Sequence, residues 1–548
     1  RKKKGAFSMK KAMKKLMAAL LAVAMVCAMA IPAWADSGTV TTASTTNTLT
    51  IHGSTTGRAY EAYQVFKGKL NSNGVLSDIQ WGDGVKGDEI LADNNLPTSL
   101  QGAKTAADLA AKLEAPTVNT ADVDAFATVV GEHLTTVKRD SAVSGGTDYI
   151  INGLTDGYYF IKDATTTLPE GATYSRYMLS ILKDEAIRTK ETSVTLDKQI
   201  YHNDTDSWGV VGDNQIGDTV EFRTITTVPD VTGYTNYTYE IHDTMSPELT
   251  SNVKSENDIT IKVGDALNSP VLDSTYYTVT ANGNTFTVTV KIIEAVTAGK
   301  LRAGNELYTY YSGVLNETAK VYPAGPQDNE AYLKYSNKPG TSDTGETPKK
   351  KVYDWTFKVD VTKVDGTDSN ETLKGAVFAL SETNNLNLVP NKDGIPTAGT
   401  DNLIKLIANA DGSYTVAPAT YTGAVTYTMI TPDNGQISIK GLDDDTDYYL
   451  YETKAPDGYN TLTDPVNFKV NKLDNNAYGS DGLTISATPT VTVAGKASAS
   501  AAFEVKNNRG TTLPGTGGIG TTIFYVIGGG LMAAAGVLLI TKKRMENR

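Results

Sequence analysis

Short runs of alternating apolar and polar residues cover most of the chain, which has 548 residues. Turn signals such as Asn282-Gly283 and Asp411-Gly412 separate these runs, which is the pattern of β-sandwich strands. Residues 103–137 differ, because their apolar positions recur at helical spacing. We therefore expect a mainly β protein built of tandem Ig-like sandwiches, with a mixed α+β domain at the N-terminal end.

Long apolar runs beside basic residues mark both ends of the chain. The run Leu16–Ile31 follows four lysines, and Ala33-Trp34-Ala35 then supplies the small residues of a signal-peptidase site. Residues 523–540 form a second apolar run, long enough to cross a membrane and followed by a basic tail. We expect residues 1–35 to be a signal peptide and 523–540 to span the membrane in the precursor only.

A pentapeptide stands just before the second apolar run: Leu513, Pro514, Gly515, Thr516 and Gly517. The order of pentapeptide, apolar span and basic tail resembles the LPxTG sorting signal of Gram-positive sortase substrates, so we interpret residues 511–548 as such a signal. The resemblance implies cleavage between Thr516 and Gly517, transfer of the Thr516 carboxyl to an amine, and a secreted protein anchored to peptidoglycan.

Removal of both ends changes the charge and the cysteine count. The part between the leader and Gly517 holds 38 basic and 61 acidic residues, a net charge near −23. Such an acidic protein is a poor ligand for nucleic acid. The single cysteine, Cys27, lies in the leader, so the exported part has no disulfide chemistry.

About 480 residues remain, which exceeds a single hydrophobic core and indicates three domains. A polar stretch at residues 340–348 suggests the second boundary. We predict an N-terminal domain at 36–190, a middle domain at 191–345 and a third domain at 346–510.

Six polar side chains continue the apolar face of a strand, so we expect them to point into a core. In the middle domain they are Lys198, Asp243 and Asn337, and in the third domain Lys363, Glu452 and Asn507. Each domain thus offers a lysine, then a carboxylate, then an asparagine.

Buried in an apolar core, a lysine and a carboxylate both shift toward their neutral forms. A neutral amine is a nucleophile, so each lysine could form an amide with its asparagine and release ammonia, with Asp243 and Glu452 as proton shuttles and no cofactor. Each bond would close a loop of about 140 residues and stabilise the folded domain by roughly 5 kcal/mol. The alternative is that these groups form buried ion pairs while the asparagines cap strands.

The strings around these residues resemble a known family. "VTLDKQI", "YEIHDTMSPELT" and "LKYSNKPG" resemble the CnaA-like domain of Gram-positive backbone pilins. "VDVTKVDG", "LKGAVFAL", "YYLYETKAPDGY" and "FEVKNNRG" resemble a CnaB domain. This implies a major pilin: a structural shaft subunit of a fimbria. The implied partners are a pilin-specific sortase, other copies of the chain, minor pilins and peptidoglycan.

Polymerisation of such a subunit needs an exposed lysine. The family places this lysine just before the first bonding lysine, where this chain has Lys190, with Lys183 as the second choice. Only the lysine of the family's motif is present there.

Two other functions remain open. One is a monomeric wall-anchored adhesin that binds a host ligand through the first domain. The other is a hydrolase within residues 36–190, for which the sequence offers only His52 and His133 with dispersed acids. The histidines lack metal-ligand spacing, and we interpret the acidic run at 443–447 as a solvated turn.

Overall fold

The computed structural model describes residues 46–53, 57–70, 75–140, 148–168, 171–188, 193–231, 234–339, 341–473, 478–479, 482–510 and 520–546. Within them the chain forms three consecutive β-rich domains and a C-terminal helix. The predicted signal peptide lies outside the described residues.

The N-terminal domain combines two small sheets with three helices, as the sequence predicted. Its strands are β1 (Asn47–His52), β2 (Tyr60–Leu70), β3 (Leu76–Trp81), β4 (Arg139–Asp140), β5 (Asp148–Leu154), β6 (Gly157–Asp163), β7 (Arg176–Ile181) and β8 (Glu185–Arg188), and its helices are α1 (Gly87–Ala92), α2 (Ala106–Leu113) and α3 (Thr120–Glu132). The sheet orders are β5-β1-β8 and β3-β2-β6-β7, with β4 paired to β2.

The α2 and α3 helices begin at residues that satisfy their free backbone N–H groups. Thr105 accepts a hydrogen bond from the backbone of Asp108, and Asn119 forms a reciprocal capping box with Asp122. Their apolar residues, Leu109 and Phe126 among them, pack in the same core as β2.

The middle domain is a sandwich of two sheets. Its strands are β9 (Leu196–His202), β10 (Ser207–Gly209), β11 (Val211–Asp213), β12 (Thr219–Thr227), β13 (Tyr239–Met245), β14 (Leu249–Ser251), β15 (Thr260–Val263), β16 (Tyr277–Asn282), β17 (Thr285–Val290), β18 (Glu306–Leu315), β19 (Gln327–Ser336), β20 (Thr344–Glu346) and β21 (Lys350–Trp355), with a short helix α4 (Ile292–Thr297). One sheet runs β10-β9-β12-β18-β14, with β15 on β18; the other runs β11-β21-β19-β13-β17-β16, with β20 on β19.

The third domain is a second sandwich. Its strands are β22 (Phe357–Asp365), β23 (Val377–Ser381), β24 (Val389–Pro390), β25 (Pro396–Ala398), β26 (Leu406–Ala408), β27 (Tyr414–Val416), β28 (Met429–Ile430), β29 (Gln436–Leu442), β30 (Asp447–Lys454), β31 (Val466–Val470), β32 (Val491–Val493), β33 (Lys496–Ala497) and β34 (Ala502–Asn507). The main sheets run β26-β27-β29-β22-β34 and β28-β23-β30-β31-β32-β33. The first and last strands, β22 and β34, pair in parallel.

The middle-domain sheet continues past residue 345, where the sequence predicted the domain to end. Strand β20 pairs with β19, and β21 pairs with both β19 and β11. The polar composition of residues 340–348 indicated a hinge, but part of that stretch is an edge strand, for which polar side chains are equally suitable.

The C-terminal helix α5 (Gly520–Glu546) contains the predicted membrane span. Residues Ile523–Glu546 are long and apolar enough to cross a membrane, and their side chains pack against no other part of the described chain. The basic tail prolongs the helix beyond the predicted end at residue 540.

Two buried lysine sites

In the third domain, three strands bring Lys363, Glu452 and Asn507 together in the core. Lys363 lies on β22, Glu452 on β30 of the facing sheet and Asn507 at the end of β34. The parallel register sets Lys363 beside Val505 and Asp365 beside Asn507, so the lysine and the asparagine extend from neighbouring positions. The side chains of Lys363 and Glu452 have no exposed surface.

One carboxylate contacts both nitrogens of this site. Lys363 Nζ lies 3.0 Å from Glu452 Oε1 and donates to Asn507 Oδ1. Asn507 Nδ2 lies 2.9 Å from Glu452 Oε1 and 2.8 Å from Oε2. The amine therefore faces the amide carbonyl group, while the same carboxyl group can take a proton from the lysine and give one to the amide nitrogen.

The surroundings of the lysine favour its neutral form. Burial lowers the pKa of Lys363, and the Glu452 carboxylate opposes that effect only in part. The ring of Phe378 lies 5.6 Å from Nζ. The backbone N–H of Leu462 donates to Glu452 Oε2 at 2.8 Å and so fixes the carboxylate.

The middle-domain site joins Lys198 of β9 to Asp243 of β13 across the two sheets. Lys198 Nζ lies 2.6 Å from Asp243 Oδ2, and neither side chain is exposed. The hydroxyl of Tyr311, on β18, contacts both groups: it accepts from Lys198 Nζ and donates to Asp243 Oδ2. Tyr311 is a residue of this site that the sequence pattern did not indicate.

Burial dominates the electrostatics of this second site. It lowers the pKa of Lys198 and raises the pKa of Asp243, although each charge partly opposes the shift of the other. It also raises the pKa of Tyr311 far above the ordinary phenol value, and the neighbouring Asp243 adds to this shift. All three shifts favour neutral groups.

Asn337 does not reach Lys198, contrary to the pairing expected from the sequence. In the β13 and β19 register Asp243 lies opposite Ala331, and Asn337 follows six residues later, beyond the end of β19. At about 3.3 Å per residue this separates it from the level of Asp243 by roughly 20 Å. Its backbone carbonyl instead accepts from Tyr174 of the N-terminal domain at 2.8 Å.

Asn329 lies nearer to Asp243 than Asn337 does. It lies on β19 two residues before Ala331, has no exposed surface and faces the core with Ala331 and Leu333. Its amide is near enough to Asp243 and Tyr311 to oppose the rise of both pKa values, and neither its Oδ1 nor its Nδ2 has a hydrogen-bond partner among the described residues. The signal was present in the sequence, because Asn329 precedes the same apolar alternation that Asn337 follows.

The N-terminal domain has a buried cation of another kind. Arg58 Nη1 lies 2.5 Å from Asp163 Oδ2 with both side chains fully buried, and it also donates to the Thr173 carbonyl at 3.0 Å. The hydroxyl of Thr165 donates to Asp163 Oδ1 at 2.5 Å. In the described part of the chain, Lys198 and Lys363 are the lysines with buried side chains, and neither belongs to this domain.

The sortase-related residues are only partly covered by the structure. Lys190 and the pentapeptide Leu513, Pro514, Gly515, Thr516 and Gly517 lie outside the described residues. Lys183 is exposed in the connection between β7 and β8.

The two histidines considered for a hydrolase site, His52 and His133, form contacts with carboxylates. His52 contacts Asp148, whereas His133 contacts Glu89 and Asp93. Among the described residues, no three His, Cys, Asp or Glu side chains form a group that could hold a metal ion.

The sequence suggested that the acidic run at 443–447 is a solvated turn, but the structure shows that part of it is buried. Asp443 and Asp444 are buried. Asp443 accepts from Asn203 of the middle domain at 3.3 Å and Asp444 accepts from the backbone of Leu473 at 2.9 Å. Contact with another domain explains the burial of Asp443, and a backbone contact within the third domain explains that of Asp444; composition reveals neither.

Comparisons with known proteins match parts of the chain. Residues 357–481 match the family model of the SpaA prealbumin-like fold domain, and residues 505–547 match the model of the LPXTG cell wall anchor motif. A search of the curated proteins finds no significant match. The chain thus contains a SpaA prealbumin-like domain and ends in a cell wall anchor.

Several solved structures are similar over most of the chain. The T6 backbone pilin of Streptococcus pyogenes serotype M6 has 16% identity and a TM-score of 0.47, with 85% of this chain and 99% of that one covered. The full-length major pilin SpaD of Corynebacterium diphtheriae has 17% identity and a TM-score of 0.44, with 85% and 98% covered. The major pilin subunit BcpA of Bacillus cereus has 15% identity and a TM-score of 0.43, with 85% and 100% covered.

Proposed function

We propose that this chain, a secreted cell-wall-anchored protein with a SpaA prealbumin-like domain, is the shaft subunit of a covalent pilus. A pilin-specific sortase joins Thr516 of one copy to a lysine of the next, minor pilins complete the fibre, and the finished polymer is attached to peptidoglycan. The observation that carries the proposal is the contact of Lys363, Glu452 and Asn507 in the third domain, next to the cell wall anchor.

The third-domain contacts support formation of an amide between Lys363 and Asn507. Lys363 gives a proton to Glu452, and the neutral amine attacks Cγ of Asn507. The Nζ–Cγ bond forms and the Cγ–Nδ2 bond breaks, while Glu452 returns a proton to the departing nitrogen. The lysine loses two protons in total, one of which leaves with ammonia while the other stays on the carboxyl group. This is one turnover on the chain itself, so the protein is a structural subunit rather than an enzyme.

The middle domain supports the same reaction with a different asparagine. Lys198 is the nucleophile and Asp243 the proton shuttle, and we assign Asn329 as the acceptor in place of Asn337. Asn329 is buried beside Asp243, whereas Asn337 lies beyond the end of the strand.

Intact-mass measurement of the mature chain tests both amides. The protein is expected to lack the mass of two ammonia molecules, and peptide mapping should recover the Lys363–Asn507 and Lys198–Asn329 branched peptides. A mass equal to that of the unmodified sequence would remove both amides from the proposal.

Polymerisation is tested separately, because it needs neither amide. Lys190 is the first candidate for the acceptor lysine and the exposed Lys183 is the second. We expect Lys190→Ala to abolish the high-mass ladder on denaturing gels, with Lys183→Ala as the matched control. A single wall-linked band from the unaltered chain would instead indicate a monomeric adhesin with a host ligand.

A further inference from the structure

The two lysine sites differ in what the amine contacts besides its carboxylate. In the third domain Lys363 Nζ contacts Glu452 and Asn507 and faces the ring of Phe378. In the middle domain Lys198 Nζ contacts Asp243 and the hydroxyl of Tyr311. The middle-domain amine thus has two proton-accepting oxygens, and these two oxygens are themselves hydrogen-bonded to each other.

We propose that Tyr311 is a catalytic residue of the middle-domain reaction, with its hydroxyl carrying the second lysine proton to Asp243. The inference rests on the proposed function, since it deals with the amide between Lys198 and Asn329. It assigns to a side chain in the core a chemical role in addition to packing.

Proton balance requires two transfers from the lysine. The ammonium group of Lys198 has three protons, and the amide that it forms retains one. The first proton passes directly to Asp243 Oδ2 and then to the departing Nδ2 of Asn329, which leaves as ammonia. After the attack on Cγ, the second proton moves to the Tyr311 oxygen while the hydroxyl's own proton moves to Asp243. The net products are the amide, one ammonia and a protonated Asp243, and Tyr311 is unchanged.

The hydrogen-bond directions fit this relay. Lys198 donates to Tyr311, and Tyr311 donates to Asp243, so both protons already point along the path. The raised pKa of Tyr311 keeps its hydroxyl protonated and able to donate. The same two contacts hold the amine once it has lost its first proton, so that its lone pair is available for the proposed attack on Asn329.

The ring of Tyr311 is fixed independently of the hydroxyl. It stacks on Phe222 with 5.9 Å between ring centroids and meets Phe286 edge-on at 4.9 Å. Tyr311→Phe therefore removes the hydroxyl and keeps these contacts. Tyr308 is a matched control on the same strand, because it is also buried but its hydroxyl donates to Glu306 at 2.9 Å.

The experiment follows the full-length chain, pulse-labelled during synthesis and chased, with branched peptides measured by mass spectrometry over time. We expect Tyr311→Phe to slow formation of the Lys198–Asn329 peptide by on the order of 100-fold, the usual contribution of a positioned acid or base. Tyr308→Phe should match the unaltered chain. In every variant the Lys363–Asn507 peptide should form at an unchanged rate, which provides a control within each molecule.

Three results would overturn the relay. The first is a Tyr311→Phe chain that closes the middle domain at the unaltered rate. The second is a Tyr311→Phe chain less resistant to trypsin at time zero than an unreactive Asp243→Ala chain, because the hydroxyl would then act in folding. The third, absence of the Lys198–Asn329 peptide from the unaltered chain, overturns the proposed amide itself and is thereby distinguished from failure of the relay.

Discussion

The N-terminal and third domains each bury a cation against a carboxylate, but the chemistry available to them differs. Arg58 and Asp163 form a buried pair in the first, and Lys363 and Glu452 form one in the third. A guanidinium group does not lose its proton in a protein, so it remains a charged hydrogen-bond donor. A buried amine is readily neutralised, and Lys363 also faces the amide of Asn507. A buried ion pair is therefore a permanent contact in one domain and, in the proposed function, the precursor of a covalent bond in the other.

Asn507→Ala is expected to have the largest effect on stability. It should leave the third domain, like the N-terminal domain, with a buried ion pair and no amide. The Lys363 and Glu452 pair remains, but no amide can form. We expect one ammonia more in the intact mass and a loss of roughly 5 kcal/mol in the free energy of unfolding, from the loop that is no longer closed. Urea unfolding measures the second quantity. Asn508→Ala is the control, since Asn508 is the exposed neighbour. If the Asn507 variant loses as many ammonia molecules as the unaltered chain, after correction for the substitution, the comparison is contradicted.

Asn329→Ala tests whether the middle domain belongs with the third. It should also retain one ammonia, with a similar or slightly smaller stability loss because its loop is slightly shorter. Asn337→Ala should change the mass only by the substitution itself and leave the number of ammonia molecules lost unchanged. The opposite result for this pair would restore the acceptor first inferred from the sequence.

Arg58→Ala tests the N-terminal domain in its own terms. It leaves Asp163 buried without its cation, which costs about 3–5 kcal/mol. Arg58→Lys should cost less and show no loss of ammonia beyond that of the unaltered chain, because Arg58 contacts Asp163 and the Thr173 carbonyl rather than an asparagine amide. Thermal unfolding and intact mass together measure both outcomes. Loss of one further ammonia in Arg58→Lys, beyond the mass change of the substitution itself, would show that a buried lysine alone suffices.

His133 gives the smallest effect, which is a pH dependence of the stability of the N-terminal domain. Partial burial lowers its pKa, but hydrogen bonds with Asp93 and Glu89 outweigh this and leave the pKa raised. The folded state therefore binds the proton more tightly than the unfolded state. The stabilisation is complete below the unfolded pKa, about 6.5, and is lost as pH rises through the higher folded pKa.

His133→Gln should accordingly destabilise the N-terminal domain by up to about 1 kcal/mol at pH 5 and by less at pH 8. Thermal unfolding at the two pH values measures the difference. His52→Gln is a control in the same domain, and an equal loss at both pH values would exclude the proton linkage.

Strand alternation predicted much of both lysine sites, because a side chain's parity along a strand determines which face it occupies. It placed Lys198, Asp243, Lys363, Glu452 and Asn507 on inner faces, where the structure has them buried. Parity does not give register, however. Both Asn329 and Asn337 have the parity of β19's inner face, and only the pairing of β19 with β13 selects Asn329. Tyr311 could not be predicted in this way. Its strand is far in sequence from Lys198 and Asp243, and an aromatic residue facing a sandwich core does not by itself indicate a site.

Strands β20 and β21 acquire a mechanical meaning once both amides are closed. Tension along the fibre bypasses residues 199–328 and 364–506 and passes from Lys363 to Asn329 through the backbone of residues 330–362. Hydrogen bonds pair β20 with β19, whereas β21 is held to β19 and β11 by hydrogen bonds and by the buried side chains of Val352 and Trp355. At about 3.4 Å per residue the fully extended length of residues 330–362 is roughly 100 Å. In the proposed fibre each subunit thus has one extensible segment between two covalently closed loops. This segment can lengthen under a sudden load and refold when the load falls.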